Sequence, residues 1–206
     1  MSNPNFKRIA ILDTRSIASA IKGDDEGGLI STVRDWESKA LEHGMEACYL
    51  RLYNLERKKL EIVISGLSPS TPILVPYSVD WFPERASGVH FRENDRIKTC
   101  ERHTQALWRG KSCHSLESVH EAEQENLNYV FFSPVFNTAT HPEVKGVGVE
   151  KLKQVCDATK IPVFALGGIS RENYQQCLDA GAFGIAAIGM FMEACSMNGR
   201  KTLQYD

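Results

Sequence analysis

No stretch of this 206-residue chain stays apolar for the roughly 18 residues that a membrane-crossing helix needs. That argues against an integral membrane protein. Charge of one sign is scarce too. Lys and Arg number 24 against 26 Asp and Glu, a formal net charge of −2, so no bulk field draws the chain to nucleic acid or to an anionic membrane surface. The N-terminal run MSNPNFKRIAILDTRS has a short apolar core but no small-residue cleavage site, which argues against a secretory signal. Cys48, Cys100, Cys113, Cys156, Cys177 and Cys195 show no CxxC or metal-like spacing. Reduced thiols in a cytoplasmic protein are expected rather than a disulfide framework. No internal repeat, low-complexity tract or clear linker divides the chain. One domain over residues 1–206 is expected, long enough to bury a substantial core. The most flexible-looking segments are Lys22–Gly28 and the tail after Gly199.

What the chain does have is rhythm. Apolar runs recur as RIAIL, ACYLRLY, PILVPY, SGVHF, LWRGKSC, NYVFFSPV, IPVFALGG and FGIAAIG. Most are nearly continuous rather than alternating, as parallel strands covered on both faces require. Amphipathic stretches lie between many of them. One carries Leu29, Val33, Trp36, Ala40 and Leu41 on a face and stops at Gly44, a C-cap signal. Another starts on Ser115 as N-cap, with Leu116, Val119 and Ala122 facing inward. The stretches after the third and fourth runs are short or irregular. Eight strands with intervening helices predict an α/β fold, a (β/α)8 TIM barrel. The competing reading is an open doubly wound sheet, whose dinucleotide-binding version is weakened because no G-x-G-x-x-G follows the first strand.

A barrel gathers its chemistry at the C-terminal ends of its strands. Strand seven closes in ALGGIS, where Gly167 and Gly168 let backbone N–H groups approach an anion, with a helix expected near Ser170. Strand eight closes at Gly189, a second place of close approach. Such loops commonly cradle phosphate in this fold, although the same glycines could simply make tight turns. The loop after strand six offers Ser133, Asn137, Thr138, Thr140 and His141, suited to an anion or to ordinary turns. Arg51, flanked by leucines on strand two, needs an anionic partner, either a ligand or an internal salt bridge. On strand five, Ser112 and His114 alternate with Cys113 and so share a side. His114 reads equally as an acid/base near pH 7 or as a histidine hydrogen-bonded at a helix start. His90, in GVHF, reads as a packed barrel histidine.

Taken together, GKSCHSLESV, NYVFFSPVFNTATHP, VGVEKLKQV, IPVFALGGISRENYQQCLDAGAFGIAAIGMF and the earlier GVHF resemble, in order and spacing, the thiamine phosphate synthase and thiazole tautomerase superfamily. The likeness is clearest from Gly110 to Phe191 and traceable from Ile9 to Arg109. It implies a barrel that binds a thiazole phosphate at its mouth. Synthases of this type join an aminopyrimidine pyrophosphate to thiazole phosphate with Mg2+. Tautomerases move a proton on a thiazole carboxylate phosphate without a metal.

Against the synthase pattern, the Gln-x-Arg-x-Lys element reads Tyr49-Leu50-Arg51-Leu52-Tyr53, so only the arginine is kept. Pro76 and Tyr77 stand where the Asn-Asp pair with the metal-binding carboxylate would be, leaving no carboxylate before Asp80. After strand four, Arg92 and Glu93 replace Gly and Gln while Asp95 matches, and His141 replaces a lysine. These changes fall on metal and pyrophosphate ligands, a poor Mg2+ site.

The resulting expectation is a thiazole tautomerase-like isomerase in which His114 is the acid/base. Gly167, Gly168, Ile188 and Gly189 would hold the phosphate through backbone N–H groups, and Arg51, Ser112, Thr138 and Thr140 would orient the substrate. No cofactor is then required. The alternatives are a divergent synthase, with Mg2+ at Asp95, and a non-catalytic barrel that keeps only the phosphate cradle. The expected partner is a small-molecule thiazole phosphate, with no nucleic acid or membrane, and a homo-oligomer stays an open option.

Overall fold

An apolar strand without polar alternation must be covered on both faces, and the structure buries most positions of these runs except in LWRGKSC, where Trp108, Arg109 and Ser112 are half-buried. The computed structural model describes residues 3–22, 24–97, 103–138 and 143–192. The strands are β1 (Arg8–Asp13), β2 (Ala47–Arg51), β3 (Ile73–Pro76), β4 (Gly88–Phe91), β5 (Trp108–Cys113), β6 (Tyr129–Phe132), β7 (Val163–Leu166) and β8 (Gly184–Ala187). They pair in chain order, all parallel. β8 closes on β1 through Arg8↔Ile185, Ile9↔Ala186 and Ala10↔Ala187. The fold is a (β/α)8 barrel and not an open sheet.

Strand alternation sorts the core into two shells. Ile9, Ile11, Ala47, Tyr49, Leu74, Tyr129, Phe131, Phe164 and Ala186 fill the barrel, and Phe6 joins them ahead of β1. Their neighbours, such as Ala10, Leu12, Cys48, Leu50, Val89, Val130 and Phe132, point outward to the helices. The inner aromatics need room. A Cβ on Gly110 would overlap the Tyr129 ring, and one on Gly184 would lie 2.7 Å from the Phe164 ring.

The helices are α1 (Ala18–Lys22), α2 (Glu26–Glu42), α3 (Arg57–Gly66), α4 (Leu116–Gln124), α5 (Val149–Ala158) and α6 (Tyr174–Asp179). Among the described residues none follows β3 or β4, in keeping with the irregular segments there. α2 is capped by the Asp25 carboxylate on the Gly28 N–H and buries Leu29, Val33, Trp36 and Ala40. Gly44, just past its end, has φ 83°. Leu41 departs from expectation and is 48 % exposed. One step of about 100° beyond Ala40 carries it off the buried stripe. Ser115 caps α4 in a box with Ser118; Val119 and Ala122 are buried while Leu116 is only half-buried. Cys48, Cys113, Cys156 and Cys177 are free thiols, and Cys100 and Cys195 lie outside the described residues. No described helix is long and apolar enough to cross a membrane.

His90 is a packed barrel histidine, 2 % exposed. Its ring stacks on Phe131 at 4.1 Å and hydrogen-bonds the Tyr129 hydroxyl at 3.1 Å and the Ser112 hydroxyl at 2.9 Å. Burial pushes its pKa down to about 3. The unfolded chain, with an ordinary histidine pKa near 6.5, therefore binds a proton that the folded chain refuses between about pH 6.5 and 3. Stability from this site is complete above that window and declines as pH falls through it, by up to about 1.4 kcal/mol per pH unit. His90→Asn should cost about 2–4 kcal/mol at neutral pH through lost packing and hydrogen bonds. The gap to wild type should narrow as pH falls from 6.5 toward 4. Denaturant unfolding of both proteins across that range checks this; a constant gap refutes it.

Candidate active site

The C-terminal ends of the strands form one rim. β1 brings Asp13 to it and β2 brings Arg51. β3 contributes Pro76 and Tyr77, and Arg92 follows β4. β5 brings Ser112 and His114. Ser133 follows β6, Gly167 and Gly168 follow β7, and Ile188 and Gly189 follow β8.

His114 sits one residue beyond β5 and is exposed. Its Nδ1 lies 2.7 Å from the Ser133 carbonyl oxygen, with the Ser133 hydroxyl at 3.3 Å. A carbonyl only accepts, so Nδ1 donates, and in the neutral ring Nε2 carries a lone pair. The His114 main-chain N–H donates to Glu93 Oε1 at 3.0 Å and to the Ser118 hydroxyl at 3.2 Å. The main chain of this histidine is tied into the helix start, while its ring is held on the loop after β6 and leaves Nε2 as the acceptor of the neutral form. Ser112 shares the inward side, half-buried, and its hydroxyl meets His90. Cys113 points away, buried between sheet and helix.

The two glycine-bearing ends differ in kind. Gly167 and Gly168 have φ of 97° and 63°, where side chains are strained. A Cβ on Gly167 would lie 2.7 Å from Pro134, and one on Gly168 would overlap the Asn137 carbonyl oxygen. The loop after β6 is stitched to this turn, Val135 N–H to Leu166 O at 2.9 Å and Phe136 N–H to Gly167 O at 3.0 Å. These glycines thus have a packing role of their own. Gly189 has none: a Cβ there meets nothing within 4 Å. It leaves backbone open to close approach by something outside the chain.

One expectation needs correction. The helix does not begin near Ser170; α6 begins at Tyr174 and is only six residues long. The Ser170 N–H is taken by Asn173 Oδ1 at 2.8 Å, and the Asn173 amide donates to the Gly168 carbonyl at 2.8 Å. A side-chain-closed turn stands between the glycines and the helix, so its dipole does not reach them.

Arg51, at the end of β2, pairs with Asp13 at 3.0 Å. The sequence reading missed Asp13, a nearly buried acid closing β1. Its signal was a lone carboxylate ending an apolar run, level with Arg51 on the adjoining strand. Burial alone would raise the Asp13 pKa. Hydrogen bonds from the Ser16 hydroxyl and N–H and from Arg15, together with the Arg51 charge, outweigh it and hold the carboxyl below the usual range. Thr138 is half-buried in the loop after β6 and Ile188 packs against the barrel interior. Thr140 and His141 lie outside the described residues.

The donor set does not suit a protein-held Mg2+. No three His, Cys, Asp or Glu side chains cluster among the described residues. Asp95 Oδ2 already accepts the Arg92 N–H at 2.7 Å, and Glu93 is engaged by the His114 N–H. β3 supplies no carboxylate at its end.

A family model described as thiamine monophosphate synthase matches residues 24–191. The chain belongs to the thiamine monophosphate synthase family. The thiamine-phosphate synthase of Pyrococcus horikoshii is 38 % identical over 75 % of this chain and 78 % of its own length. A putative thiamine-phosphate synthase 2 of Aquifex aeolicus is 48 % identical over 41 % of this chain, which spans about half of that relative (45 %). The solved thiamine phosphate pyrophosphorylase of Pyrococcus furiosus superposes with a TM-score of 0.66 at 26 % identity, covering 89 % of this chain and 86 % of that one.

In this family member the two glycine-bearing ends respond oppositely to a methyl group. Gly168→Ala should destabilise by about 2 kcal/mol or more, because both φ and the Asn137 carbonyl oppose it. Gly189→Ala should leave the melting temperature within about 1 °C, since surface changes away from special features are near neutral. It should weaken orthophosphate binding about tenfold if backbone approach there is what holds the anion. Thermal unfolding and phosphate titration of both variants check the contrast.

Proposed function

We propose that this chain makes thiamine phosphate, the product named in its relatives, by coupling an aminopyrimidine pyrophosphate to a thiazole phosphate. The observation that carries this is a 38 % identical thiamine-phosphate synthase aligned over three quarters or more of both chains. The comparisons favour it over the proton-transfer isomerase expected from the sequence. In the coupling, a carbon–oxygen bond to pyrophosphate breaks and a carbon–nitrogen bond to the thiazole ring forms. The ring nitrogen becomes cationic, and no proton has to be moved.

The residues support binding roles for that chemistry. The open backbone at Gly189 and the Gly167–Gly168 turn suit the thiazole phosphate. Arg51, held by Asp13, suits the departing pyrophosphate through its remaining donors. His114, oriented by the Ser133 carbonyl, offers Nε2 for alignment rather than for obligatory proton transfer.

A second reading, thiazole tautomerisation, is favoured by one specific feature. A histidine with Nδ1 fixed on a carbonyl and Nε2 free to accept in the neutral ring is a competent base, and Pro76 and Tyr77 stand in place of the strand-three carboxylate of a metal site. Incubation with both substrate sets, in Mg2+ and in chelator, separates the readings. The coupling reading predicts thiamine phosphate, and His114→Asn should lower its rate by less than about tenfold. The tautomerase reading predicts no coupled product, proton exchange that survives chelation, and a loss of about 10²–10⁴ in His114→Asn. Ligand-dependent stabilisation without either product would refute both.

A further inference from the structure

We propose that Arg92, stacked on the Tyr53 ring, is an anion-binding residue of the mouth and takes a polyanion of the pyrophosphate class. The argument starts in the core. Tyr49 is 2 % exposed inside the barrel, and its hydroxyl meets the Tyr53 hydroxyl at 3.1 Å. Tyr53 follows Arg51 by two residues, so that bond lays its ring over the barrel interior. The Arg92 guanidinium lies over this ring, 4.0 Å from its centroid. Arg92 follows β4 on the same alternation as His90, whose ring meets the interior Phe131 and Tyr129. It is therefore an exposed cation held at the mouth by an aromatic from two strands away.

Its charge is not consumed locally. Among the described residues no ion pair to the Arg92 side chain occurs, although two carboxylates lie within three residues of it. Asp95 engages its backbone N–H, and Glu93 engages that of His114. Nearby on the rim, the single Asp13 carboxylate faces both Arg15 and Arg51. Arg51 keeps donors beyond its one bond to Asp13, and with Arg92 it makes this sector suited to an anion with several charges. A guanidinium fork matches phosphoryl oxygens in pairs, and stacking holds its plane in advance of binding. In the closed order of strands, β2 to β4 lie across the barrel from β6 to β8. The arginines thus face the glycine-bearing ends, and two anionic groups are held apart. The assignment rests on the coupling reaction only for the ligand's identity.

The test is calorimetric titration with inorganic pyrophosphate in chelator at low salt. Arg92→Ala should weaken binding about tenfold or more, the worth of a charge-assisted hydrogen bond, with an unchanged melting temperature. Arg92→Met keeps the apolar stem on the ring and should lose as much, which serves if the alanine variant folds poorly. Tyr53→Phe keeps the ring face but loses the hydroxyl bond to Tyr49 that places it, and should lose no more than about twofold. Tyr53→Leu should lose about two- to fivefold. Wild type that ignores pyrophosphate, or an Arg92→Ala variant within about twofold of it, overturns the assignment. A chain that forms thiamine phosphate with Arg92 irrelevant to pyrophosphate sinks this proposal alone. One that needs Arg92 for pyrophosphate but never couples sinks only the synthase reading.

Discussion

The pairing of β8 with β1 is the contact on which everything at the mouth depends. Until Ile9 lies beside Ala186, the eight strands are an open sheet with two edges and no interior. Closure gives each strand an inside and an outside. It thereby sends Tyr49, His90, Ser112 and Phe131 inward while Cys48, Val89, Cys113 and Phe132 meet the helices. It also brings the end of β8 round to the end of β1, so that Gly189 and Asp13 share a rim although they lie far apart in the chain. Of the closing pairs only Ile9 and Ala186 face the interior, where the small Ala186 leaves room for the aromatics of β6 and β7, while Ala10 and Ala187 face the helices.

From that closure follows a rim in which neighbouring strands are stitched by polar contacts. Asp13 and Arg51 join β1 to β2, and Tyr53 and Arg92 join the loops after β2 and β4. Glu93 ties the β4 loop to His114, His114 ties β5 to Ser133, and Val135 and Phe136 tie the β6 loop to β7. Each contact fixes a side chain that could act on a ligand, and preorganisation of this kind removes ordering costs from binding. Below the rim, His90 joins Ser112 to Tyr129, so the hydroxyl of Ser112 is anchored on the core. Gly189 contributes no side chain to this stitching, and the backbone there is open to approach.

Much of this was legible in the sequence, and the remainder has physical reasons. Most of the strands could be read because they are apolar runs covered on two faces, a signal carried by consecutive residues; β5, WRGKSC, is the exception, with Trp108, Arg109 and Ser112 half-buried. Helical stripes could be read as well, except where one position such as Leu41 lies at the stripe's border. The start of α6 could not, because Asn173 folds back on Ser170 and Gly168 and closes a turn where a helix was expected. Asp13 escaped because one acid after an apolar run looks like an ordinary strand end; only the β1–β2 register shows it level with Arg51. Arg92 and Tyr53 are 39 positions apart in the sequence, and nothing local in either joins them. Barrel curvature makes that pair.

The same geometry bears on how a chain without a carboxylate pair for Mg2+ could still hold a pyrophosphate. A charge pair 4 Å apart is worth about 1 kcal/mol in bulk water and about 4 kcal/mol at the effective dielectric of a protein surface. At an open mouth the lower end applies, so the bare charge of one arginine is a weak substitute for a divalent ion. Geometry then decides the outcome. Ordering one rotamer-rich side chain on binding costs about 0.5–1.5 kcal/mol, as much as the bare charge gains in water. Arg51 has already lost that freedom to Asp13, and Arg92 has lost it to the Tyr53 ring. Two guanidiniums fixed before the ligand arrives keep most of what their hydrogen bonds supply, where two mobile ones would spend it on ordering. The tyrosine that stands in place of the strand-two lysine of the synthase pattern is therefore more than a lost cation: its ring is the surface on which another cation is held.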